Sequence, residues 1–325
     1  MSRSDRYAAI DLGGTKVRAI VADLDGRIYG EDIRLSRASD GLAATMDTMV
    51  VSLQAACEAA AVSTSDIKGL GIASPGAVDA LNGVVPEAPQ LPGWRDVPIV
   101  ELMSERLEMP VWLENDANAA ALGEHRYGAG QGAKDMLYMT VSTGVGGGII
   151  IDGNLYRGAR GAAGELGHVI IDYDGPACGC GGSGCLESLI SGTAIAREGE
   201  RLVDEGKAPE LAKLRASEGA VTSEMMGRAV KAGDEAVAEY TDRVGLYLGV
   251  ALASYVNIFN PSAIVIGGGV AKSSDMFLDQ AVATMKKRAM KGPLADVTVK
   301  LSELQDRAGT LGMIARLKAA IEDGD

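Results

Sequence analysis

The chain has 325 residues, 47% of them hydrophobic, and its 44 acidic against 31 basic side chains give a formal net charge of −13. That length exceeds one ordinary core and fits two domains. An acidic surface is repelled by phosphate backbones and anionic bilayers, so neither nucleic acid nor a membrane is an expected partner, although a local basic spot could hold a small anion.

The start, Met-Ser-Arg-Ser-Asp-Arg, leads into a strand with no apolar signal segment, the expectation for a cytoplasmic protein. Residues 7–11 form that strand and end in Asp11-Leu12-Gly13-Gly14-Thr15-Lys16; strands 17–22 and 27–34 follow, turned by Asp25-Gly26, as a meander of hairpins. A Gly-Gly-Thr turn bares backbone N–H groups and a hydroxyl, which suits phosphate oxygens, though an ordinary hairpin turn reads the same way. The spacing is not that of a P-loop.

Residues 41–62 carry apolar positions at helical spacing, with Cys57 as a small core residue, and 67–73 read as the next strand. Ser74-Pro75-Gly76-Ala77-Val78-Asp79 turns the chain at the end of that buried strand, where open α/β sheets bind ligands. Pro86, Pro89, Pro92 and Gly93-Trp94 then predict a rigidified loop without regular structure. A strand at 111–114 runs into Asn115-Asp116-Ala117-Asn118, which opens a helix to about Tyr127. Asn or Asp there caps a helix, but Asp116, at the C-terminal end of a core strand, is equally placed to be a general base.

Strand 136–141 passes through Ser142-Thr143-Gly144-Val145-Gly146-Gly147-Gly148 into 149–151. This repeats the first glycine turn and points to an internal duplication with both turns facing one cleft. Next comes the densest stretch, Glu165-Leu166-Gly167-His168 followed by Cys178-Gly179-Cys180-Gly181-Gly182-Ser183-Gly184-Cys185-Leu186-Glu187. The spacing H-x9-C-x-C-x4-C fits one zinc ion with three thiolates and an imidazole, and the glycines let so short a loop wrap it. A disulfide or scattered buried thiols are the alternatives; adjacent Cys178 and Cys180 make a poor pair, so zinc is favoured.

Residues 188–231 are helical and polar, and 236–259 form a long helix ended by Asn260-Pro261. Its apolar run is shorter than the roughly 18 residues of a membrane span, and its glycines recur at helical spacing, so it reads as a buried helix. Strand 263–266 enters Gly267-Gly268-Gly269-Val270 and then a helix from about Ser274; three glycines admit a flat or anionic group close to the backbone. Strand 297–300 and an amphipathic helix 308–321 finish the chain.

Taken together, these segments resemble the ROK family of sugar kinases and repressors, within the actin-like, hexokinase-like ATPase superfamily. The resemblance implies an α/β fold of two actin-like (ribonuclease H-like) ATPase domains around a central cleft, with a structural zinc loop. Residues 1–116 would form a smaller N-terminal domain onto which a helix at about 307–325 packs back, and 117–306 a larger domain with the zinc loop and adenosine motif. It further implies an ATP-dependent hexose kinase, most similar to the glucokinase branch, with mannose, fructose or N-acetylmannosamine as other acceptors.

By residue match, Asp116 would be the catalytic base, and Gly76, Asn115, Asp116, Glu165, His168 and Glu187 would hold the sugar. Asp11 would hold Mg2+. Gly13, Gly14, Thr15, Lys16, Thr143, Gly144 and Gly146 would hold the phosphates of ATP, and Gly267, Gly268 and Gly269 the adenosine. Zn2+ would be bound by His168, Cys178, Cys180 and Cys185. One departure falls at Gln90, where the glucokinase branch often has Asn ahead of Leu-Pro-Gly-Trp. Repressors of the family carry a helix-turn-helix ahead of the sugar-binding core; with only about six residues before the first strand and an acidic charge, a kinase is expected here. A homo-oligomer, dimer or tetramer, is also implied by the resemblance.

Overall fold

The computed structural model describes residues 5–270 and 277–323. The helix start expected near Ser274 and the opening Met-Ser-Arg-Ser lie outside the described residues. The chain forms two compact units. The first takes residues up to Gly132, Gly148–Gly164 and the chain from Glu303; the second takes Ala133–Gly147 and Glu165–Ser302.

In the first unit the elements are β1 (Arg6–Leu12), β2 (Lys16–Ala22), β3 (Ile28–Leu35), α1 (Leu42–Ala59), β4 (Ile67–Ser74), β5 (Ala77–Asp79), β6 (Val84–Glu87), β7 (Arg95–Val97), α2 (Ile99–Leu107), β8 (Val111–Asn115) and α3 (Asp116–Tyr127). Its sheet has the order β3-β2-β1-β4-β8, with the predicted hairpin meander at one side and parallel pairing of β1 with β4 and β4 with β8. Alternation along β1 separates two cores. Ala8, Ile10 and Leu12 join Met49 and Leu53 of α1, while Tyr7 and Ala9 face Leu311, Ile314 and Leu317 near the C-terminus. Asp11 therefore points to the second side.

The proline-bearing segment departs from expectation, because β5, β6 and β7 make a three-stranded antiparallel sheet. Pro86 sits in β6 between Val85, paired with Val97, and Glu87, paired with Arg95, so a short strand accommodates a residue without an N–H.

In the second unit β9 (Met136–Val141) leads into β10 (Val145–Ile151), a strand that begins in this unit and ends in the first, where it pairs with β11 (Asn154–Leu155). Helices α4 (Leu186–Ile190), α5 (Gly192–Asp204), α6 (Pro209–Glu218), α7 (Ser223–Ala232) and α8 (Glu235–Phe259) follow. Then come β12 (Ala263–Gly267), α9 (Leu278–Arg288), α10 (Lys291–Leu294) and β13 (Thr298–Leu301), and finally α11 (Ala308–Asp323), which belongs to the first unit. β12 runs parallel to β9 on one side and β13 on the other.

α8 ends as the sequence predicts, with Asn260 left-handed at φ 46° ahead of Pro261. Its Gly245 and Gly249 let α9 approach: a Cβ there would fall 2.7 Å from the Phe277 carbonyl and 2.5 Å from that of Ala281. No helix among the described residues is long and apolar enough to cross a membrane.

Candidate active site

In the first unit β8 delivers Glu114, Asn115 and Asp116 to the start of α3. Asn115 is the cap: its side-chain oxygen accepts the N–H groups of Ala117 (3.0 Å) and Asn118 (3.1 Å), and its Nδ2 donates to the Gly76 carbonyl (3.2 Å). Gly76 is left-handed at φ 83°, and a Cβ there would lie 2.4 Å from the Glu87 carbonyl oxygen. Capping and the base position thus fall on neighbouring residues, leaving Asp116 in the first turn of α3, where its Oδ1 accepts the Ala117 N–H (2.8 Å).

Asp11 lies in the same unit, and the Asp116 charge acts on it. Burial is the largest influence, Asp116 adds to it and Arg18 opposes, so the Asp11 carboxyl is raised to about 7. Gly309 in the first turn of α11 leaves room for that carboxylate, since a Cβ there would be 2.8 Å from its Oδ2. The turn Gly13-Gly14-Thr15-Lys16 closes through the Gly13 N–H on the Lys16 carbonyl (2.8 Å). Ser36 ties down two more of its carbonyls, with its N–H on Thr15 (2.9 Å) and its hydroxyl on Gly14 (2.8 Å). Gln90 backs onto this turn: its carbonyl would be 2.8 Å from a Cβ on Gly14.

Two further residues belong with this group in the first unit: Glu114, which the sequence reading placed at the end of a strand without a role of its own, and Arg157, which it did not single out. Glu114 is only 2% exposed, and its Oε2 accepts Arg157 Nε (2.9 Å) and Nη2 (2.7 Å). A carboxylate closing an apolar strand signals the need for a partner, but nothing local points to Arg157.

In the second unit the turn Ser142-Thr143-Gly144 is held from α5: the Gly192 N–H donates to the Ser142 carbonyl (2.7 Å) and the Thr193 hydroxyl to that of Thr143 (2.8 Å). Gly146 lies beyond it in β10. Gly268 is left-handed at φ 93°, and a Cβ there would be 2.4 Å from the Val141 carbonyl, which brings Gly267, Gly268 and Gly269 against the end of β9. Glu187 sits beside the turn as well. Its Oε2 accepts the Val145 N–H (2.9 Å) and would be 2.6 Å from a Cβ on Gly144.

His168, Cys178, Cys180 and Cys185 come together, their ligand atoms all within 4.8 Å of one another. Cys180 Sγ is 3.6 Å from Cys185 Sγ, and Cys178 Sγ is 3.6 Å from His168 Nδ1. Tetrahedral zinc has S···S edges of about 3.8 Å and S···N edges of about 3.5 Å, so the set fits zinc. All four cysteines of the chain are free thiols. His168 turns Nδ1 to the thiols and Nε2 toward Glu165, whose Oε2 is 3.8 Å away. Tyr255 of α8 donates its hydroxyl to the Leu166 carbonyl and Tyr240 to that of Leu189 (3.3 Å), so one helix supports both flanks of the loop.

The chain is 35% identical to a glucokinase of Halalkalibacterium halodurans over 99% of both chains. It is 30% identical to the xylose repressor of Caldicellulosiruptor bescii, over 94% of this chain and 76% of the repressor. Among solved structures, a ROK family glucokinase from Streptomyces griseus in complex with glucose and AMPPNP superposes with a TM-score of 0.81 at 32% identity, over 96% of this chain and 98% of that one. The α/β kinase fold expected from the resemblance is borne out. The sequence pattern of the ROK family matches residues 7–320, and the chain belongs to that family.

Proposed function

We propose that the chain transfers the γ-phosphoryl group of ATP to the primary (6-) hydroxyl of a hexose, with glucose the preferred acceptor. The observation that carries this reading is the nearly end-to-end likeness to a glucokinase and to a glucokinase structure holding glucose and AMPPNP. Asp116 accepts the hydroxyl proton as the sugar oxygen bonds to the γ-phosphorus and the bond to the departing ADP breaks. By the family resemblance, Gly76, Asn115, Glu165, His168 and Glu187 hold the remaining hydroxyls. Carboxylates and imidazole suit that task, because a sugar hydroxyl left without its partner is costly to bury.

Gly13, Gly14, Thr15, Lys16, Thr143, Gly144 and Gly146 take the phosphates, and Gly267, Gly268 and Gly269 the adenosine. Mg2+, held by Asp11, would neutralise charge on the phosphate oxygens when bound. Zinc on His168, Cys178, Cys180 and Cys185 is structural. A cytoplasmic homo-oligomer, with no nucleic acid or membrane partner, completes the reading.

The likeness to the xylose repressor favours a second reading, a sugar-sensing protein without catalysis. Purified protein given ATP, Mg2+ and a panel of glucose, mannose, fructose and N-acetylmannosamine separates the two. Sugar-dependent ADP release, fastest with glucose, is expected; binding of sugar without turnover of any would establish the sensor. A different leading sugar would overturn the choice of glucose and leave the kinase reading standing.

A further inference from the structure

We propose that Arg157 and Glu114 form a positioning pair that fixes the proposed base, Asp116, and that Arg157 is required for turnover although it acts only through Glu114. The proposal rests on the kinase reading above for its kinetic test.

Glu114 is a buried charge with every lone-pair direction in use. Oε2 takes the Nε and Nη2 fork of Arg157, and Oε1 accepts the Asn115 N–H (3.1 Å) and Asn118 Nδ2 (3.2 Å). Those last two bonds grip the backbone on one side of Asp116 and a side chain on the other. Asn115 in turn caps α3 and reaches Gly76. The carboxylate is therefore the anchor from which the β8–α3 turn is suspended, and the guanidinium is the counter-charge that holds the carboxylate.

Asn118 shows that this anchoring overrides local satisfaction. The residue is 2% exposed, and its Oδ1 has no hydrogen-bond partner among the described residues. Turning the amide over would set its oxygen against the Glu114 carboxylate, so the donor is committed to Glu114 and the acceptor is left over. A buried unpaired acceptor beside the proposed base is retained where geometry outweighs local stability.

Arg157 itself sits in a segment shaped to present it. The Ala163 N–H closes back on the Arg157 carbonyl (3.1 Å), and Gly158 and Gly161 are both left-handed, at φ 71° and 78°. The ion pair is partly open on the arginine side, with 33% of that side chain exposed against 2% for Glu114. A small cation could thus reach the place of a deleted guanidinium.

The test compares Arg157→Ala and Arg157→Lys with wild type, using ATP, Mg2+ and glucose. Arg157→Ala should lose about a hundredfold in kcat with glucose and ATP KM within about threefold, as expected for a displaced but intact site, and millimolar guanidinium should restore at least tenfold. Arg157→Lys, which keeps the charge and loses the fork, should fold like wild type and fall about tenfold in kcat. A folded Arg157→Ala or Arg157→Lys with wild-type kcat, or a loss of kcat that guanidinium does not relieve, overturns the proposal. If wild type turns over no hexose the kinase reading fails instead. Amide exchange then decides the pair: Arg157→Lys should speed exchange across residues 115–118, and unchanged protection there overturns it.

Discussion

Asp11 sets its ionisation against its surroundings. Burial first, and the Asp116 charge second, raise its carboxyl to about 7, from an ordinary value of 3.8. A raised folded value means that the folded state prefers the protonated acid; the stabilisation is complete below about pH 4 and is lost as pH climbs through about 7. Above that range, without a bound cation, an ionised Asp11 works against folding. Asp11→Asn should therefore raise Tm by several degrees at pH 8 in EDTA and leave it unchanged at pH 4, while abolishing Mg2+-dependent turnover. Scanning calorimetry at the two pH values checks this, and an equal shift at both would refute the account. In the sequence Asp11 was singled out only through the family resemblance, as the residue that would hold Mg2+. Gly309 and Asp306, which act on it, could not be read from the same stretch, since the first turn of α11 and the short turn before it supply them. The same holds for Glu114: its charge inside β8 was visible, and Arg157, brought in by a later segment, was not.

At the scale of elements, the zinc loop shows what spacing reveals and what it hides. Thiol spacing and glycines marked the ligands, and the fold brings all four together. The spacing did not reveal that Glu187 ties the loop to the Ser142-Thr143-Gly144 turn through the Val145 N–H, or that Tyr240 and Tyr255 support the loop from α8. Such bonds join residues far apart in sequence and leave no local pattern. The small sheet β5-β6-β7 escaped for a different reason, since proline density outweighed pairing that only Val85, Glu87 and their partners reveal. The tie through Glu187 has a measurable consequence. Wild-type protein should carry about one zinc per chain, and Cys180→Ser should lose it. Because His168 and Glu187 flank the metal, glucose Kd in Cys180→Ser should rise at least about tenfold. AMPPNP Kd should rise too, by about threefold, because Val145 loses a fixed acceptor. Metal analysis with calorimetric titration of both ligands decides it; a variant that keeps its zinc, or a metal-free one that binds glucose normally, refutes the link.

At the scale of the whole molecule, the path of the chain was the least legible feature. It leaves the first unit after Gly132, returns at Gly148 within β10, leaves again after Gly164 and returns at Glu303. No change of composition marks those points; a glycine-rich strand such as β10 reads the same on either side of its crossing. The structure does show what secures two of them. Glu124 of α3 is fully buried, and its carboxylate accepts the N–H groups of Ala129 (2.9 Å), Leu304 (2.9 Å) and Glu303 (3.3 Å). One side chain thus fastens the chain shortly before its first departure and at its final return. Gly128 is small for the same reason, as a Cβ there would be 2.2 Å from Glu124 Oε2. Glu124→Ala would strip the acceptor from the N–H of buried Ala129 and from those of the more accessible Glu303 and Leu304, and should destabilise by about 2 kcal/mol, since an orphaned buried donor costs about 1–3 kcal/mol and a solvent-reachable one less. Glu124→Gln retains one acceptor oxygen and should lose less. Denaturant unfolding of both variants measures the order, and exchange at Ala129, Glu303 and Leu304 should accelerate in Glu124→Ala ahead of exchange in β1. A Glu124→Ala variant as stable as wild type would show that these two segments are held by something other than this carboxylate.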